Sequence, residues 1–388
     1  MIITKNIYFK NFSKKYSSSV NSKLKFLLKE NNEILNSLKS SYKYSYSIKF
    51  INRYEKKFSI LRIIGMGGSI LGTKAIFNFL KKKIKKKVIF FDNLLSNFKI
   101  DNDKKILNII VSKSGNTLET ISNVNNLINQ NQKNIFITEN NTSYLRILAN
   151  KIKAEIVDHN NYIGGRYSVL SEVGMLPASL VGLNEKKFKQ FNNLIKKKNF
   201  IDSLVQNVNN ILFFVKKKKY NSIIINYDED AEDLFKWYQQ LVGESLGKKQ
   251  KGIFPLISSM PKDNHSLMQL YLDGPKKNFF TFFSVKEKKS NKIINKSILS
   301  THKYIKNKKF SEILNAQKMA TEKVFYKNKI PFRSFEILKR NEEVLGELFT
   351  FFILETILLG KFLNLNPYDQ PAVEMIKKDT KKILMNSQ

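Results

Sequence analysis

The sequence contains no cysteine, which excludes disulfides, thiol nucleophiles and thiolate metal sites. Histidine is also scarce, with three residues, and no histidine and carboxylate cluster has metal-ligand spacing. We therefore expect no metal and no cofactor. Long apolar runs are missing as well. The most apolar segment, residues 348–360, is interrupted by Glu355, too short to span a bilayer, and predicted to form a buried helix.

Acidic residues are few, with 32 Asp and Glu against 68 Lys and Arg, which gives a net charge of +36. Such a charge could favour binding to a polyanion or to an anionic membrane surface. The surplus is nearly all lysine spread along the chain, and no arginine-rich stripe stands out, so solvated lysine faces are the favoured interpretation. We expect no nucleic-acid or membrane partner. The first residues have no apolar core of signal-peptide length, which predicts a cytoplasmic protein.

Apolar runs alternate with amphipathic segments along most of the 388 residues. This alternation predicts an α/β fold of two doubly wound parallel sheets, with helices on both faces and additional helices at the two termini. The first forty-odd residues predict a surface helix or arm, and the C-terminal third is predicted to be mostly helical. We place the domain boundary near residue 185, which gives domains at 1–185 and 186–388.

Two turns follow predicted strands and lead into predicted helices: "GMGGSILG" and "SKSGNTLET". A helix N-terminus offers unpaired N–H groups to an anion, and glycine lets a ligand approach the backbone. In the second turn Ser112, Ser114 and Thr117 could donate to phosphate oxygens while Lys113 adds charge. The alternative is that these hydroxyls cap the helix. Neither turn has a complete nucleotide-binding motif, which disfavours a nucleotide.

The two turns together resemble the first sugar-isomerase (SIS) domain of the phosphoglucose isomerase family. The resemblance implies that Gly68 and Ser69 lie against a sugar. It also implies a phosphate cradle, formed by Ser112, Lys113, Ser114 and Thr117. Ser114 and Gly115 stand where the family's usual turn has threonine and a bulkier residue, a version that resembles the wider SIS group.

Four further stretches extend the resemblance as far as residue 377: "GGRYS", "LVGESLGKK", "KDNHSLMQ" and "NPYDQPAVEMIKKD". By resemblance, Arg166 faces an enediolate and Glu244, near a helix end, moves a proton between C2 and C1. His265 and Lys377 assist ring opening, and Gln370 orients the substrate. The seven-residue spacing of Gln370 and Lys377 predicts that both lie on one side of a helix.

The resemblance implies reversible isomerisation of D-glucose 6-phosphate and D-fructose 6-phosphate through a cis-enediol, without a metal. It also implies a homodimer in which the ring-opening histidine comes from the neighbouring subunit. Two alternatives stay open at this point. One is a bifunctional phosphoglucose/phosphomannose isomerase, and the other is a non-catalytic SIS protein that senses a sugar phosphate.

Overall fold

The computed structural model describes residues 2–13, 20–94, 105–286, 290–293 and 299–386. Within these residues the strands, in chain order, are β1 (Ile2–Thr4), β2 (Ile7–Lys10), β3 (Ile60–Gly65), β4 (Lys87–Phe91), β5 (Ile106–Val111), β6 (Lys133–Thr138), β7 (Glu155–Asp158), β8 (Asn221–Asn226), β9 (Phe254–Ser259), β10 (Asn278–Val285) and β11 (Phe332–Ile337).

The α-helices of the same residues are α1 (Val20–Lys29), α2 (Glu33–Leu38), α3 (Ile48–Glu55), α4 (Leu71–Phe79), α5 (Leu118–Leu127), α6 (Tyr144–Lys151), α7 (Glu172–Leu180), α8 (Glu185–Phe188), α9 (Phe191–Leu194), α10 (Lys198–Lys216), α11 (Glu232–Leu246), α12 (Met268–Asp273), α13 (Phe310–Lys327), α14 (Glu342–Phe362) and α15 (Val373–Asn386). Short 3₁₀ turns lie at Gly67–Ser69, Lys81–Lys83, Gly165–Leu170, Glu229–Ala231, Lys262–His265 and Ser300–Ile305.

The first sheet has five parallel strands in the order β4-β3-β5-β6-β7. Its central strand β5 is buried at every position, and β3 at all but its first, as expected for parallel strands covered on both faces. The chain leaves β3 towards β4 on one side, and β5 towards β6 on the other. The carboxyl ends of β3 and β5 therefore form the topological switch point, where ligands of such sheets bind.

The second sheet has six strands in the order β1-β2-β11-β10-β8-β9. The four strands from β11 to β9 are parallel to one another, whereas β2 pairs antiparallel with β11 and β1 antiparallel with β2. Two mainly parallel sheets covered by helices confirm the predicted α/β fold class. The division of the chain at residue 185 stays a prediction.

Two parts of this second sheet differ from the sequence predictions. Residues expected to form only a surface helix or arm also supply β1 and β2, because buried Ile7 and Phe9 alternate with exposed neighbours. The ring of Phe9 packs 4.5 Å from that of Phe335 in β11. The C-terminal third, expected to be mostly helical, contains β11, whose buried Arg333 interrupts the apolar pattern of a central strand.

The predicted buried helix over residues 348–360 lies within α14, where every residue from 344 to 360 is buried. Glu355 is buried because it meets Arg333 of β11, which donates from Nη1 and Nη2 to its carboxylate. Tyr238 donates to the same carboxylate over 3.0 Å, and Asn207 donates to its other oxygen. In the described part of the chain, no helix combines the length and apolarity needed to cross a membrane.

Replacing Glu355 by alanine should lower the free energy of unfolding by about 3–5 kcal/mol, because it leaves the buried guanidinium of Arg333 without a counter-charge. Glu343→Ala on the same helix is the control, since its pair with exposed Lys5 is a surface contact worth about 1 kcal/mol or less. Urea unfolding of both variants measures the difference. Equal losses in the two variants would contradict the assignment.

Candidate active site

Arg166 lies at the centre of the candidate site, in the 3₁₀ turn Gly165–Leu170, with only 1% of its side chain exposed. A guanidinium has five N–H donors and always carries its charge, so its burial requires acceptors on every side. All five donors are used. They bond Ser245 Oγ (2.8 Å), Glu244 Oε2 (3.2 Å), Gln370 Oε1 (2.5 Å), the Pro367 carbonyl (2.7 Å) and the Asp369 carbonyl (3.0 Å).

Glu244 lies in the last turn of α11, as the sequence predicts, and its carboxylate is held from two directions. One oxygen accepts from Arg166, and the other accepts from Gln240 Nε2 at 2.8 Å, one helical turn earlier. Gln240 Oε1 is buried and has no hydrogen-bond partner among the described residues. Gln240 was not among the site residues predicted from the sequence.

The glycine-rich turn after β3 packs directly on the segments that carry Gln240 and Arg166. Gly67 has φ of +54°, and a Cβ there would lie 3.0 Å from Gln240 Nε2. A Cβ on Gly68 would lie 2.4 Å from the carbonyl carbon of Gly165. Glycine at 68 therefore allows the turn to approach the backbone that carries Arg166. The role of Gly68 and Ser69 against a sugar stays a prediction.

The second turn, residues 112–117, lies at the carboxyl end of β5, beside the end of β3. Thr117 occupies the N-cap position of α5, but its hydroxyl makes no capping hydrogen bond and instead lies 3.0 Å from Ser112 Oγ. For Thr117 this disfavours the helix-capping alternative. Ser114 Oγ accepts a hydrogen bond from the backbone N–H of Asn116 at 3.3 Å. Gly115 has φ of +65°, and a Cβ there would clash with the Ser143 side chain, which accounts for glycine at this position.

Charged and titratable groups around this turn are few. Lys113 forms an ion pair with Glu139 at 3.4 Å. His159 lies buried after β7, and desolvation lowers its pKa to about 4, against the hydrogen bond to the Asn160 carbonyl. A neutral His159 follows near pH 7. No group of three or more His, Asp or Glu residues in the described part of the chain could hold a metal.

The structure brings Arg166, Glu244 and Gln370 together but does not join His265 or Lys377 to them. His265 is exposed in the turn Lys262–His265 beyond β9. Lys377 is 67% exposed on α15 and pairs with Glu374 at 2.6 Å. Among the described residues, no hydrogen bond or ion pair links either one to the Arg166 cluster.

The expected helical relation between Gln370 and Lys377 is wrong, because α15 begins only at Val373 and Gln370 precedes it. Pro371 lies between Gln370 and the helix, and the residue before a proline is disfavoured in helical conformation. Gln370 is therefore part of the loop that reaches Arg166, whereas Lys377 belongs to a helix without a buried residue.

A cavity of about 640 Å³ opens beside Glu244, within the size range of small-molecule sites. One wall is the end of α11 with the turn that follows it, and the other is the segment from Leu365 to Val373. A carboxylate, a buried guanidinium and an amide thus meet next to a space large enough for a sugar phosphate.

Comparison with solved structures supports this architecture. A hypothetical protein of Thermus thermophilus superimposes with a TM-score of 0.82 and 22% identity, over 94% of each chain. A glucose-6-phosphate isomerase of Chlamydia trachomatis superimposes with a TM-score of 0.71 and 18% identity, over 97% of this chain and 81% of that one. At these identities the likeness shows the fold alone, which is the α/β fold of the SIS phosphosugar isomerases.

Sequence comparison identifies the family. The phosphoglucose isomerase family model matches residues 13–257, well over half of the chain. A glucose-6-phosphate isomerase of Methanocaldococcus jannaschii is 34% identical over 348 residues, which are 85% of this chain and 84% of the relative. The chain belongs to the phosphoglucose isomerase family, as the sequence motifs predicted.

Replacing Gly68 by alanine should lower the free energy of unfolding by about 1–3 kcal/mol, because the new Cβ overlaps the Gly165 backbone. Gly164→Ala is the matched control, since a Cβ there meets nothing nearer than Tyr167 Cδ2 at 3.7 Å and its φ of −63° suits alanine. Denaturant unfolding of both variants tests the close approach. A Gly68→Ala protein as stable as Gly164→Ala would contradict it.

Proposed function

We propose that the protein interconverts D-glucose 6-phosphate and D-fructose 6-phosphate, as the names of its relatives suggest. One observation carries the proposal: the Glu244 carboxylate is fixed between Arg166 and Gln240 at the wall of a ligand-sized cavity. A proton-transfer catalyst needs a positioned base within reach of its substrate. A sugar-phosphate sensor would need the anion-binding turns but not this carboxylate arrangement.

In the proposed reaction the turn of residues 112–117 anchors the phosphate through its hydroxyls and through Lys113. Glu244 removes the proton from C2 of the open-chain aldose, the electron pair forms the C1–C2 double bond, and the C1 carbonyl pair moves to O1, which gives the cis-enediol intermediate as its enediolate. A proton then moves from O2 to O1, the O2 electron pair forms the C2 carbonyl, and the same carboxyl group returns its proton to C1, which yields the ketose. No step requires a metal, because only protons move between carboxyl and sugar.

Arg166 is proposed to stabilise the negative charge throughout this reaction, first on Glu244 and then on the substrate oxygen. In the resting site its Nη1 group donates to Glu244 and Gln370. When Glu244 accepts the proton its negative charge is lost, while negative charge develops on the substrate oxygen. A permanent cation within reach of both groups stabilises the charge in either place, and its burial strengthens the effect. Gln370 is proposed to orient the substrate beside it.

Ring opening is assigned to His265 and Lys377, which the single chain leaves exposed. We propose a homodimer in which the neighbouring subunit's histidine at this position completes each site. The exposed position of His265 beyond edge strand β9 supports this arrangement, since a surface residue is available to a second chain. Cytoplasmic localisation stays a prediction of the sequence.

Glu244→Gln should lower turnover of glucose 6-phosphate by roughly 10²–10⁴-fold, because glutamine keeps the shape of the side chain but cannot accept the proton. The measurement is fructose 6-phosphate formation, together with solvent-deuterium incorporation at C2 of the recovered aldose. Glu232→Gln, in the first turn of the same helix, is the control, since Glu232 pairs only with surface Lys236.

Near-wild-type turnover or deuterium exchange in Glu244→Gln would remove Glu244 from the mechanism. Mannose 6-phosphate belongs in the same assay, since Ser114 and Gly115 resemble the wider SIS group. Comparable turnover of mannose 6-phosphate would favour the bifunctional alternative. Glucose 6-phosphate binding without turnover in the wild-type protein would favour the sensor.

Mixing Glu244→Gln and His265→Ala subunits tests the shared site. If the histidine comes from the neighbouring subunit, one site of each mixed dimer has both groups intact. Random assortment should then restore about a quarter of wild-type activity, since half the dimers are mixed and half of their sites are intact. No recovery after denaturation and joint refolding, with mixed dimers verified by mass, would contradict a shared site.

A further inference from the structure

A tight turn with unusual backbone angles follows α11, four residues beyond Glu244. Lys248 and Lys251 are joined by two backbone hydrogen bonds of 3.2 and 2.9 Å, which close a two-residue hairpin. The residues between them, Lys249 and Gln250, have φ of 52° and 56°. Positive φ at both central positions defines a type I′ turn, which normally takes asparagine and glycine. Two long side chains in this conformation are strained, and strain of this kind gathers at functional sites.

The two lysines that flank this turn both bond the C-terminal loop, which we define as residues 363–372 between α14 and α15. Lys248 Nζ donates to the Asn366 carbonyl and to Asp369 Oδ1, the latter at 2.6 Å. Lys251 Nζ donates to the Leu363 carbonyl at 3.1 Å. Paired residues of a hairpin project to the same side, so the type I′ turn directs both ammonium groups onto the loop.

The same loop is bonded from its other side by Arg166, which takes the carbonyls of Pro367 and Asp369 and the side chain of Gln370. Asp369 is shared, since its carbonyl meets Arg166 while its carboxylate meets Lys248. The Lys248 side chain is 11% exposed and the Asp369 side chain 52%, and the hydrogen bond from Lys248 lowers the pKa of Asp369.

We propose that Lys248 is a positioning residue: through Asp369 it fixes the C-terminal loop so that Gln370 lies against Arg166 beside Glu244. The inference rests on the proposed function and adds a residue to it. Lys248 acts through the loop and not on the sugar. The type I′ turn keeps Lys248 and Lys251 as an adjacent pair, and both bond the same loop.

Lys248→Met tests the proposal, because methionine keeps an unbranched apolar stem and removes the ammonium group. Turnover should fall about tenfold or more, since small misplacements of a positioned group cost one to two orders of magnitude. Asp369→Asn should cause a similar loss, the double variant should lose little more than either single one, and Lys248→Arg should recover part of the activity. Lys236→Met is the matched control, because it removes a lysine from a surface ion pair on α11, the helix that precedes the turn.

Hydrogen exchange supplies a readout that does not depend on catalysis. Amides of residues 363–370 should exchange faster in Lys248→Met than in the wild-type protein and Lys236→Met, while those of α14 stay protected. Unchanged exchange in the loop, additive losses in the double variant, or turnover equal to that of Lys236→Met would overturn the proposal. An inactive wild-type protein with faster loop exchange in Lys248→Met would refute the isomerase function but not the anchoring.

Discussion

The burial of one permanent cation determines the geometry of the candidate site. Arg166 cannot lose its charge, so its five donors need acceptors from the protein when the side chain is buried. They come from the end of α11 and from the C-terminal loop, segments about 80 and 200 residues away in sequence. Hydrogen bonding of all five guanidinium donors therefore brings these segments together at the site. A buried donor without an acceptor would lower the stability of the fold.

The parts of the fold that could be predicted are those in which local pattern and burial agree. Strands β3 and β5 are apolar runs with one polar residue each, Arg62 and Asn108, followed by glycine- or serine-rich turns, and both were found. Strand β11 was missed because half of its six residues, Arg333, Ser334 and Glu336, are polar. Arg333 becomes acceptable in a core only opposite Glu355, a contact that no local pattern contains.

The contacts within the candidate site were even harder to predict from the sequence than the strands. The pairing of Arg166 with Gln370 joins residues 204 apart, which spacing alone could not reveal. Family resemblance gave each residue a role in the site but not the contact between them. Gln240 escaped notice because a glutamine on a helix carries no distinctive signal. The helical relation of Gln370 to Lys377 failed because a seven-residue interval does not show where a helix begins.

The two sheets share a strand order but differ in charge at equivalent ends. Strands β9, β8, β10 and β11 repeat the arrangement of β4, β3, β5 and β6. The turn after β3 is uncharged, whereas β8 is followed by Asp228, Glu229 and Asp230, which line a cavity of about 670 Å³. At the second sheet the carboxylates of Asp228 and Asp230 are partly balanced by Arg340, which pairs with both of them.

The N-terminal hairpin has a consequence for how the chain is made. Residues 7–10 pair with residues 334–337, so the second sheet joins segments from opposite ends of the sequence. During synthesis β2 emerges long before β11 exists, while the first sheet can assemble from residues already available. Strand β2 can pair with β1 but not with β11 until the late segment arrives, so completion of the second sheet awaits nearly the whole polypeptide.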